Sequence, residues 1–415
     1  MKKNNYKKNY ILLLLEGILF DVGFVFFNPS TILPLLMMKL TNSSVMVGML
    51  AMLRYLSPGI FSLISGNQTR PYKYKKKYLL IVSTIGRLPI WILGISLFLI
   101  NSNNKIFWGG IILFVNFLFW SGDGSVTPVW SDIVGKTILP DQRGRFFLNR
   151  QVISGFLSLL ASLLIRKILD SSILIFPNDY GIIISISALI FTFSLLSLVP
   201  INEASSITSE KDSYKEMIIK IPKYFKHNSG FSFSMITLFF SNLSTIALPF
   251  YITYSQIDFN LTEKHVASFV IIQILGRITA GLAYGLIGDK YGHEKSIFLN
   301  VTSAFLAPLS IIILIYFNIE SAFICFGIAY FFLGFFLGGW VVFINYTIDI
   351  IDQKNRTFFV GLINLIKIPT AMAPLMGGVI IKFFDYPSVF WIALIVSAIS
   401  IAFSLFLPAA PRTKI

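Results

Sequence analysis

The stretch Gly285-Leu286-Ile287-Gly288-Asp289-Lys290-Tyr291-Gly292-His293-Glu294-Lys295 decides how the rest of the chain is interpreted. It is short, charged and punctuated by glycine, and long apolar segments lie on both sides of it. Glycine permits tight turns, and Asp is common in them because its side chain bonds to the nearby backbone. The stretch therefore predicts a cytoplasmic hairpin between two membrane helices.

The composition places the chain among membrane proteins. Hydrophobic residues make up 55% of the 415 residues and charged residues only 13%, whereas an ordinary soluble domain carries about 25% charged residues. The net charge of +15 comes from short clusters between apolar runs, which argues against a nucleic-acid partner. The single cysteine, Cys325, excludes an intrachain disulfide and a thiolate metal cluster. We expect neither a metal nor a cofactor.

Twelve stretches are apolar enough to cross the hydrocarbon core, which takes about 20 residues of helix. We therefore predict an all-α membrane protein with twelve transmembrane helices. They are called spans 1 to 12 in chain order and cover residues 9–38, 43–65, 78–100, 106–131, 146–168, 180–200, 230–254, 263–288, 296–317, 321–349, 357–384 and 387–408.

The distribution of cations predicts the orientation of these spans. On the side of the N-terminus we count 23 Lys and Arg residues, and on the opposite side 6. Loops that stay in the cytoplasm carry the excess of Lys and Arg. We therefore expect a multi-pass protein of the cell membrane, embedded in the lipid bilayer, with both termini in the cytoplasm.

The two halves of the chain repeat each other. Asp141-Gln142-Arg143-Gly144-Arg145-Phe146-Phe147 opens span 5, and Asp352-Gln353-Lys354-Asn355-Arg356-Thr357-Phe358-Phe359 opens span 11 with an offset of 211 residues. A long polar stretch falls midway. We predict two parallel six-helix repeats, with a solute site near the midplane between them. The predicted segments are a bundle at 1–200, a cytoplasmic linker at 201–229 and a bundle at 230–415.

The opening stretch resembles the signature loop of the major facilitator superfamily, which lies between spans 8 and 9. It has the order Gly, three residues, Asp, a cation, one residue, Gly. The resemblance implies a transporter, and it implies that this loop stabilises the state closed to the cytoplasm. Its residues would then gate rather than bind, with Arg356 pairing with Asp289: Gly285, Asp289, Lys290, Gly292 and Arg356. The alternative is an ordinary turn with solvated charges.

Ionisable residues inside the spans form the candidate site, because each costs at least about 2.5 kcal/mol at the centre of a membrane helix. Span 3 is peripheral in the superfamily that the chain resembles, so we expect Arg87 to be an inner-leaflet or packing residue. The other seven comprise three carboxylates and four cations, and the surplus cation predicts an anionic group on the substrate. We predict that five of them bind substrate: Arg54, Asp123, Arg150, Arg277 and Lys367. The alternative for each is an internal ion pair, such as Asp21 with Arg54 or Asp123 with Arg150.

Proton coupling needs a carboxylate that binds and releases a proton as the cavity alternates. We predict Asp21 and Glu16 for this role. They are five residues apart and point roughly 140° away from each other on a helix, so one faces the cavity and the other a neighbouring helix. The expected protein is a proton-coupled, monomeric transporter of a small polar solute with an anionic group, working by symport or antiport through alternating access.

Two other functions remain open from the sequence. Asp21, Asp123, Arg150 and Lys367 are similar in layout to charged residues of glycoside/cation symporters, which implies sugar/cation symport. The first cytoplasmic loop departs from that pattern, and span 2 has Arg54 without the paired carboxylates of a sodium site. Multidrug efflux is a third hypothesis, although a cavity in which cations outnumber carboxylates would bind apolar cationic drugs poorly. An enzyme is not expected, because no His pair, Gly-x-Ser-x-Gly turn or phosphate loop occurs.

Overall fold

The computed structural model describes residues 3–99, 104–138, 142–171, 173–206, 208, 228–317, 321–339, 341–351, 363, 366 and 368–409. Within these ranges we number sixteen α-helices: α1 (Lys3–Phe26), α2 (Ile32–Thr41), α3 (Ser44–Gln68), α4 (Lys76–Arg87), α5 (Pro89–Ser96), α6 (Lys105–Thr137), α7 (Arg143–Leu169), α8 (Asn178–Leu198), α9 (Ser229–Leu243), α10 (Phe250–Ile257), α11 (Glu263–Tyr291), α12 (His293–Phe317), α13 (Ala322–Gly338), α14 (Val342–Ile350), α15 (Ala373–Phe383) and α16 (Tyr386–Ser404).

The predicted all-helical membrane fold is confirmed. In the described part of the chain, 11 helical segments are long and apolar enough to cross a membrane. Predicted span 11, at 357–384, lies partly outside the described residues. Its described part contains the apolar helix Ile368–Phe383.

Proline interrupts several spans that the sequence predicts as single helices. Predicted span 1, at 9–38, is in fact α1 and α2, separated by a turn at residues 27–31 that contains Pro29. In that turn the backbone N–H of Ser30 donates to Asn28 Oδ1 at 2.8 Å. Pro89 separates α4 from α5, and Pro249 precedes α10. The cause is shared, because proline lacks a backbone donor and its ring clashes with the preceding turn.

The first of two compact units consists of Met1–Thr41 and Ser57–Ser213. Its central helix α1 packs against α7 and α8, while α4 packs against α6. The backbones of α4 and α6 come close together at Gly86 and Gly122. A Cβ added at Gly122 would lie only 2.9 Å from the Cα of Gly86. Two glycines thus bring the backbones of these helices together, as small residues do in membrane bundles.

The second unit consists of Asn42–Leu56 and Tyr214–Ile415. Here α11 packs against α13, and α12 packs against α13 and α16. A Cβ at Gly334 would collide with the carbonyl oxygen of Gln273, so glycine is required for the approach of α13 to α11. The predicted bundles at 1–200 and 230–415 and the linker at 201–229 stay a prediction. By their contacts, residues 42–56, which contain the start of α3, belong to the second unit. In the second unit, Ser44 Oγ at that start donates to the carbonyl of Gly378 in α15 at 2.8 Å.

Candidate functional site

Five charged side chains lie together inside the apolar helices of the first unit. They come from α1, α4, α6 and α7, which pack against one another or against α8. Because each charge is costly in hydrocarbon, their pairing decides what this cluster does. The cluster consists of Glu16, Asp21, Arg87, Asp123 and Arg150.

Glu16 and Arg87 form the more deeply buried pair of the cluster. Arg87 Nη2 lies 3.1 Å from Glu16 Oε1, and the side chains are only 8% and 5% exposed. Trp130 Nε1 donates to the second carboxylate oxygen of Glu16 at 2.9 Å. Arg87 Nη1 donates to Ser194 Oγ at 3.1 Å, and that hydroxyl donates to the backbone carbonyl of Glu16 at 3.1 Å. The pair is fully hydrogen-bonded on the carboxylate side and joins α1, α4, α6 and α8.

Sequence reasoning left Arg87 out of the site because its span was taken as peripheral. The structure buries Arg87 and pairs it with Glu16, which agrees with a packing role, and its part in the site stays a prediction. The signal that indicates this is in the sequence, since a cation in mid-span needs a carboxylate on a neighbouring helix. Which carboxylate it meets depends on the rotation of α4, which the sequence does not give.

Asp21 and Arg150 form a second pair, which is more open. Arg150 donates twice, from Nε to Asp21 Oδ2 at 2.9 Å and from Nη2 to Asp21 Oδ1 at 2.8 Å. The side chains are 21% and 30% exposed for Arg150 and Asp21. The guanidinium of Arg150 also lies 5.4 Å from the centre of the Trp130 ring. The structure thus pairs Asp21 with Arg150, in place of Arg54, and this pair remains accessible.

Asp123 is the third carboxylate of the cluster. It is partly buried, and within the described part of the chain its carboxylate makes neither a hydrogen bond nor an ion pair, although it interacts electrostatically with Arg87, Glu16 and Arg150. It faces a small cavity between α1, α4 and α6. The lining residues are Phe20, Ser83, Gly86, Arg87, Phe119, Gly122, Asp123 and Val126.

The cluster therefore holds three carboxylates and two guanidinium groups. Each arginine is matched by one carboxylate, and Asp123 remains without such a match among the described residues. The sequence predicts a surplus of positive charge for the whole set of buried ionisable residues. In this cluster the surplus is negative, because three carboxylates face two arginines, and both arginines are already paired.

The other predicted substrate ligands lie on the second unit or outside the described residues. Arg54 is on α3, partly buried, with its guanidinium 5.3 Å from the centre of the Tyr55 ring. Arg277 is on α11, exposed, beside Gly338. Lys367 falls outside the described residues. The substrate-binding roles of all three stay predictions.

The signature turn is tighter than the predicted hairpin. Helix α11 continues to Tyr291 and α12 begins at His293, so that only Gly292 separates them. Gly292 has a φ of +101°, in a region that favours glycine, and a Cβ there would meet the carboxylate of Glu294. Residues 289–291 thus form the last turn of α11.

The structure describes only some of the predicted gating residues. Lys290 is exposed, with Nζ 5.1 Å from the centre of the Tyr291 ring. A Cβ at Gly285 would meet no described atom within 4 Å. The side chain of Asp289 and the whole of Arg356 lie outside the described residues, so their pairing stays a prediction.

His293, which sequence reasoning did not select, connects this turn to α14. Its Nδ1 lies 2.6 Å from Asp349 Oδ2, and its ring packs so closely on Gly288 that a Cβ there would lie 2.8 Å from it. The imidazole therefore bridges the ends of α11, α12 and α14. A short loop motif indicates the turn but not this long-range partner.

A second polar network, centred on Glu203, joins three segments of the first unit. The buried carboxylate of Glu203 accepts from the backbone N–H groups of Lys75 and Lys76 at 2.8 and 2.7 Å, and from Lys136 Nζ at 2.9 Å. Asp132 lies 3.2 Å from Lys75 Nζ and 2.9 Å from Lys136 Nζ. The start of the predicted linker is therefore tied to the segment before α4 and to the end of α6.

A comparison with protein families settles the class of protein. Residues 17–367 match the family model of the Major Facilitator Superfamily. The chain belongs to this superfamily. No curated protein sequence matches it.

Solved structures of superfamily transporters share the fold over nearly the whole chain. The nucleoside transporter NupG has a TM-score of 0.70 at 12% identity, covering 95% of this chain and 99% of that chain. A D-xylose-proton symporter has a TM-score of 0.68 at 13% identity, covering 98% of both chains. The xylose transporter XylE from E. coli, partially occluded and inward open, has a TM-score of 0.67 at 11% identity and covers 100% of both. These likenesses show the fold alone.

As a superfamily member, the chain is a multi-pass membrane protein and a secondary transporter of small molecules, not an enzyme. This class gives the charged cluster a context. A transporter needs polar groups within its membrane helices to bind solute or coupling ion, and such groups are otherwise costly there.

Proposed function

We propose that this transporter moves a small polar organic solute with an anionic group, and that a proton taken up by Asp21 drives the movement. The observation that carries the proposal is the bidentate Asp21–Arg150 pair, which lies inside apolar helices and is still partly exposed. A buried structural pair has no need of access to water or solute. The Asp21–Arg150 pair has that access.

Proton and anion compete through Arg150 in this mechanism. An ionised Asp21 occupies both donors of Arg150. A protonated Asp21 no longer carries the charge that holds the guanidinium, which then offers a planar pair of donors to a carboxylate or phosphate. Binding of the proton thus favours binding of the anion, which is the condition for symport.

The test uses the full chain reconstituted in liposomes, with a panel of small organic acids and organic phosphates as substrates. Asp21→Asn should abolish uphill accumulation driven by a pH gradient while sparing counterflow, because exchange needs no net proton movement. Arg150→Gln should impair both. Asp132→Asn is the matched control, since Asp132 is an ion-paired carboxylate of similar exposure, 32% against 30%. Normal accumulation by Asp21→Asn would refute the proposal.

The predicted anion ligands of the second half are tested separately. Arg277→Gln and Lys367→Gln should each weaken substrate binding without changing the dependence on the pH gradient. If the preferred substrate is neutral and neither substitution changes its binding, these cations do not recognise an anionic group.

Sugar/proton symport is the second candidate. Its support is the layout of Asp21, Asp123 and Arg150, together with the similarity in fold to a D-xylose-proton symporter. A pentose or hexose panel in the same liposomes separates the two functions. Accumulation of a neutral sugar and no organic acid would favour this candidate.

We also propose that both termini are cytoplasmic in the cell membrane, on the basis of 23 cations against 6. The one native cysteine, Cys325, is buried. Labelling by a thiol reagent therefore reports on an added cysteine and not on Cys325. Ile173→Cys, at a position 87% exposed between α7 and α8, should react with an impermeant thiol reagent in intact cells. Tyr74→Cys, 63% exposed between α3 and α4, should react only after lysis. The reverse pattern would invert the orientation.

A further inference from the structure

The cavity beside Asp123 contains more unpaired polar groups than the carboxylate alone. Ser83 lines the same cavity, is only 2% exposed, and its Oγ has no hydrogen-bond partner among the described residues. Buried hydroxyl groups are normally hydrogen-bonded, and one that is not requires an explanation such as an unseen water or ligand. A carboxylate and a hydroxyl on two different helices therefore face one small cavity, and neither has a partner in the part of the chain that the structure describes.

We propose that Asp123, with Ser83 in the lining of the same cavity, is a second proton-binding site of the transporter, distinct from Asp21. The role of this site in transport rests on the proposed proton coupling. The site itself is defined by the geometry of α1, α4 and α6, and proton binding to it is measurable without any substrate.

The pairing of the cluster favours a proton as the ligand. Glu16 and Asp21 each have an arginine, whereas Asp123 has none among the described residues. A carboxylate in a membrane helix that is not matched by a cation is costly, and protonation removes its charge. Asp123 is thus the carboxylate of this cluster that gains most from binding a proton.

A metal cation fits the cavity less well than a proton. Hard cations such as Na⁺, Ca²⁺ or Mg²⁺ take several oxygen ligands, and the described polar side chains of the lining are Asp123, Ser83 and Arg87. The guanidinium of Arg87 belongs to the same lining and repels a second cation. Protonation of Asp123 requires no coordination shell.

The charged groups around Asp123 are held in place independently of it. They are Arg87 on α4, Glu16 on α1 and Arg150 on α7. Arg87 is bonded to Glu16 and Ser194, and Arg150 to Asp21. Asp123 can therefore gain or lose a proton without breaking either ion pair, which makes it a separate site rather than part of the Asp21 switch.

The hydroxyl group of Ser83 is the polar partner that this cavity offers to a proton on Asp123. The hydroxyl donates when the carboxylate is ionised and accepts when it is protonated. Removing it should disfavour the ionised form.

The experiment is pH-difference infrared spectroscopy of the full chain in liposomes, with the change of pH as the only probe. Wild type and the control Asp132→Asn should show the C=O stretching band of a protonated carboxyl group, which fades as pH rises. Because Asp21 contributes a band of its own when it is protonated, the site is isolated in the Asp21→Asn background. Asp21→Asn alone should keep the band of Asp123, and the double variant Asp21→Asn with Asp123→Asn should lack it. An unchanged band in the double variant would overturn the proposal, and so would loss of the band on addition of Na⁺ at constant pH.

Two further variants protect the test against misfolding of Asp123→Asn. In Asp21→Asn protein labelled with ¹³C-aspartate, the band should shift, and it should appear unshifted when Asp123→Glu is added, because the carboxyl group then belongs to glutamate. Ser83→Ala should keep the band but move its midpoint to higher pH, and an unmoved midpoint would overturn the role of the cavity. If the band behaves as expected but no solute is accumulated with protons, the proposed function fails and the proton site stands.

Discussion

Gly17 lies directly beneath the guanidinium of Arg150: a Cβ at Gly17 would come within 2.7 Å of Arg150 Cδ and Nε. Gly17 is one helical turn before Asp21 on α1. The missing side chain leaves the space through which Arg150 reaches across to its carboxylate partner. The geometry of the Asp21–Arg150 pair thus depends on a glycine that carries no chemistry of its own.

Gly17→Ala should therefore impair transport although it leaves every charged residue of the sequence unchanged. The added methyl displaces Arg150, and overpacking of this kind costs about 1–3 kcal/mol. We expect proton-driven uptake to fall toward that of Arg150→Gln, measured in liposomes at equal protein content.

Gly110→Ala on α6 is the control for this substitution, because a Cβ there would meet no described atom within 4 Å. It should transport like wild type. Equal uptake by Gly17→Ala and wild type would show that Arg150 does not need its present position.

The two ion pairs of the first unit should differ in their effect on stability. Glu16→Gln leaves Arg87 buried without its counter-charge, and breaking a buried pair in this way costs about 3–5 kcal/mol. Asp21→Asn breaks a partly exposed pair and should cost less, about 1 kcal/mol or below. Thermal unfolding of the purified protein in detergent measures both.

The double variant Glu16→Gln with Arg87→Met tests the reason for this difference. It removes the unpaired charge, so most of the lost stability should return. If Asp21→Asn lowers the unfolding temperature as much as Glu16→Gln, burial is not what distinguishes the two pairs.

The sequence predicts the membrane helices well because their signal is local. An apolar stretch of sufficient length must be helical in a membrane, where every backbone group needs a partner within the segment. The breaks at Pro29, Pro89 and Pro249 are local as well, since each follows from a missing donor and a ring clash. Hydropathy alone does not reveal them, and this is why predicted span 1 is wrong as a single helix.

The partners within the candidate site could not be predicted in the same way. That Glu16 and Asp21 point in different directions follows from helix geometry, and the structure gives them different arginines. Which arginine each one meets depends on how α4 and α7 rotate against α1, a property of packing over more than 70 residues of separation. Glu203 was missed for the same reason, because its donors lie 128 and 127 residues away.

Two glycines of the signature stretch should respond in opposite ways to alanine. Gly292 has a positive φ of +101° and its Cβ would meet Glu294, so Gly292→Ala should cost about 1–3 kcal/mol through backbone strain. Gly285 lies inside α11, and a Cβ there would meet no atom of the described residues within 4 Å. Gly285→Ala should leave stability unchanged or raise it by about 0.5–1 kcal/mol.

Thermal unfolding of both variants in detergent gives this comparison directly. A marked loss of stability in Gly285→Ala would indicate that this glycine has a contact outside the described residues. No loss in Gly292→Ala would mean that the helices α11 and α12 are joined differently.

The Glu203 network makes a prediction about two individual amide groups. The carboxylate of Glu203 is the acceptor for the backbone N–H groups of Lys75 and Lys76, at the start of α4, where backbone donors have no partner inside the helix. Glu203→Ala removes that acceptor. Amide hydrogen exchange across residues 73–78, followed by mass spectrometry in detergent, should then accelerate about tenfold for each 1.4 kcal/mol of lost protection.

Asp132→Asn is the control, because it removes a partner of the Lys75 side chain but leaves the acceptor of both amide groups in place. Exchange that is equally slow in wild type and Glu203→Ala would show that these amides are protected by something other than the carboxylate.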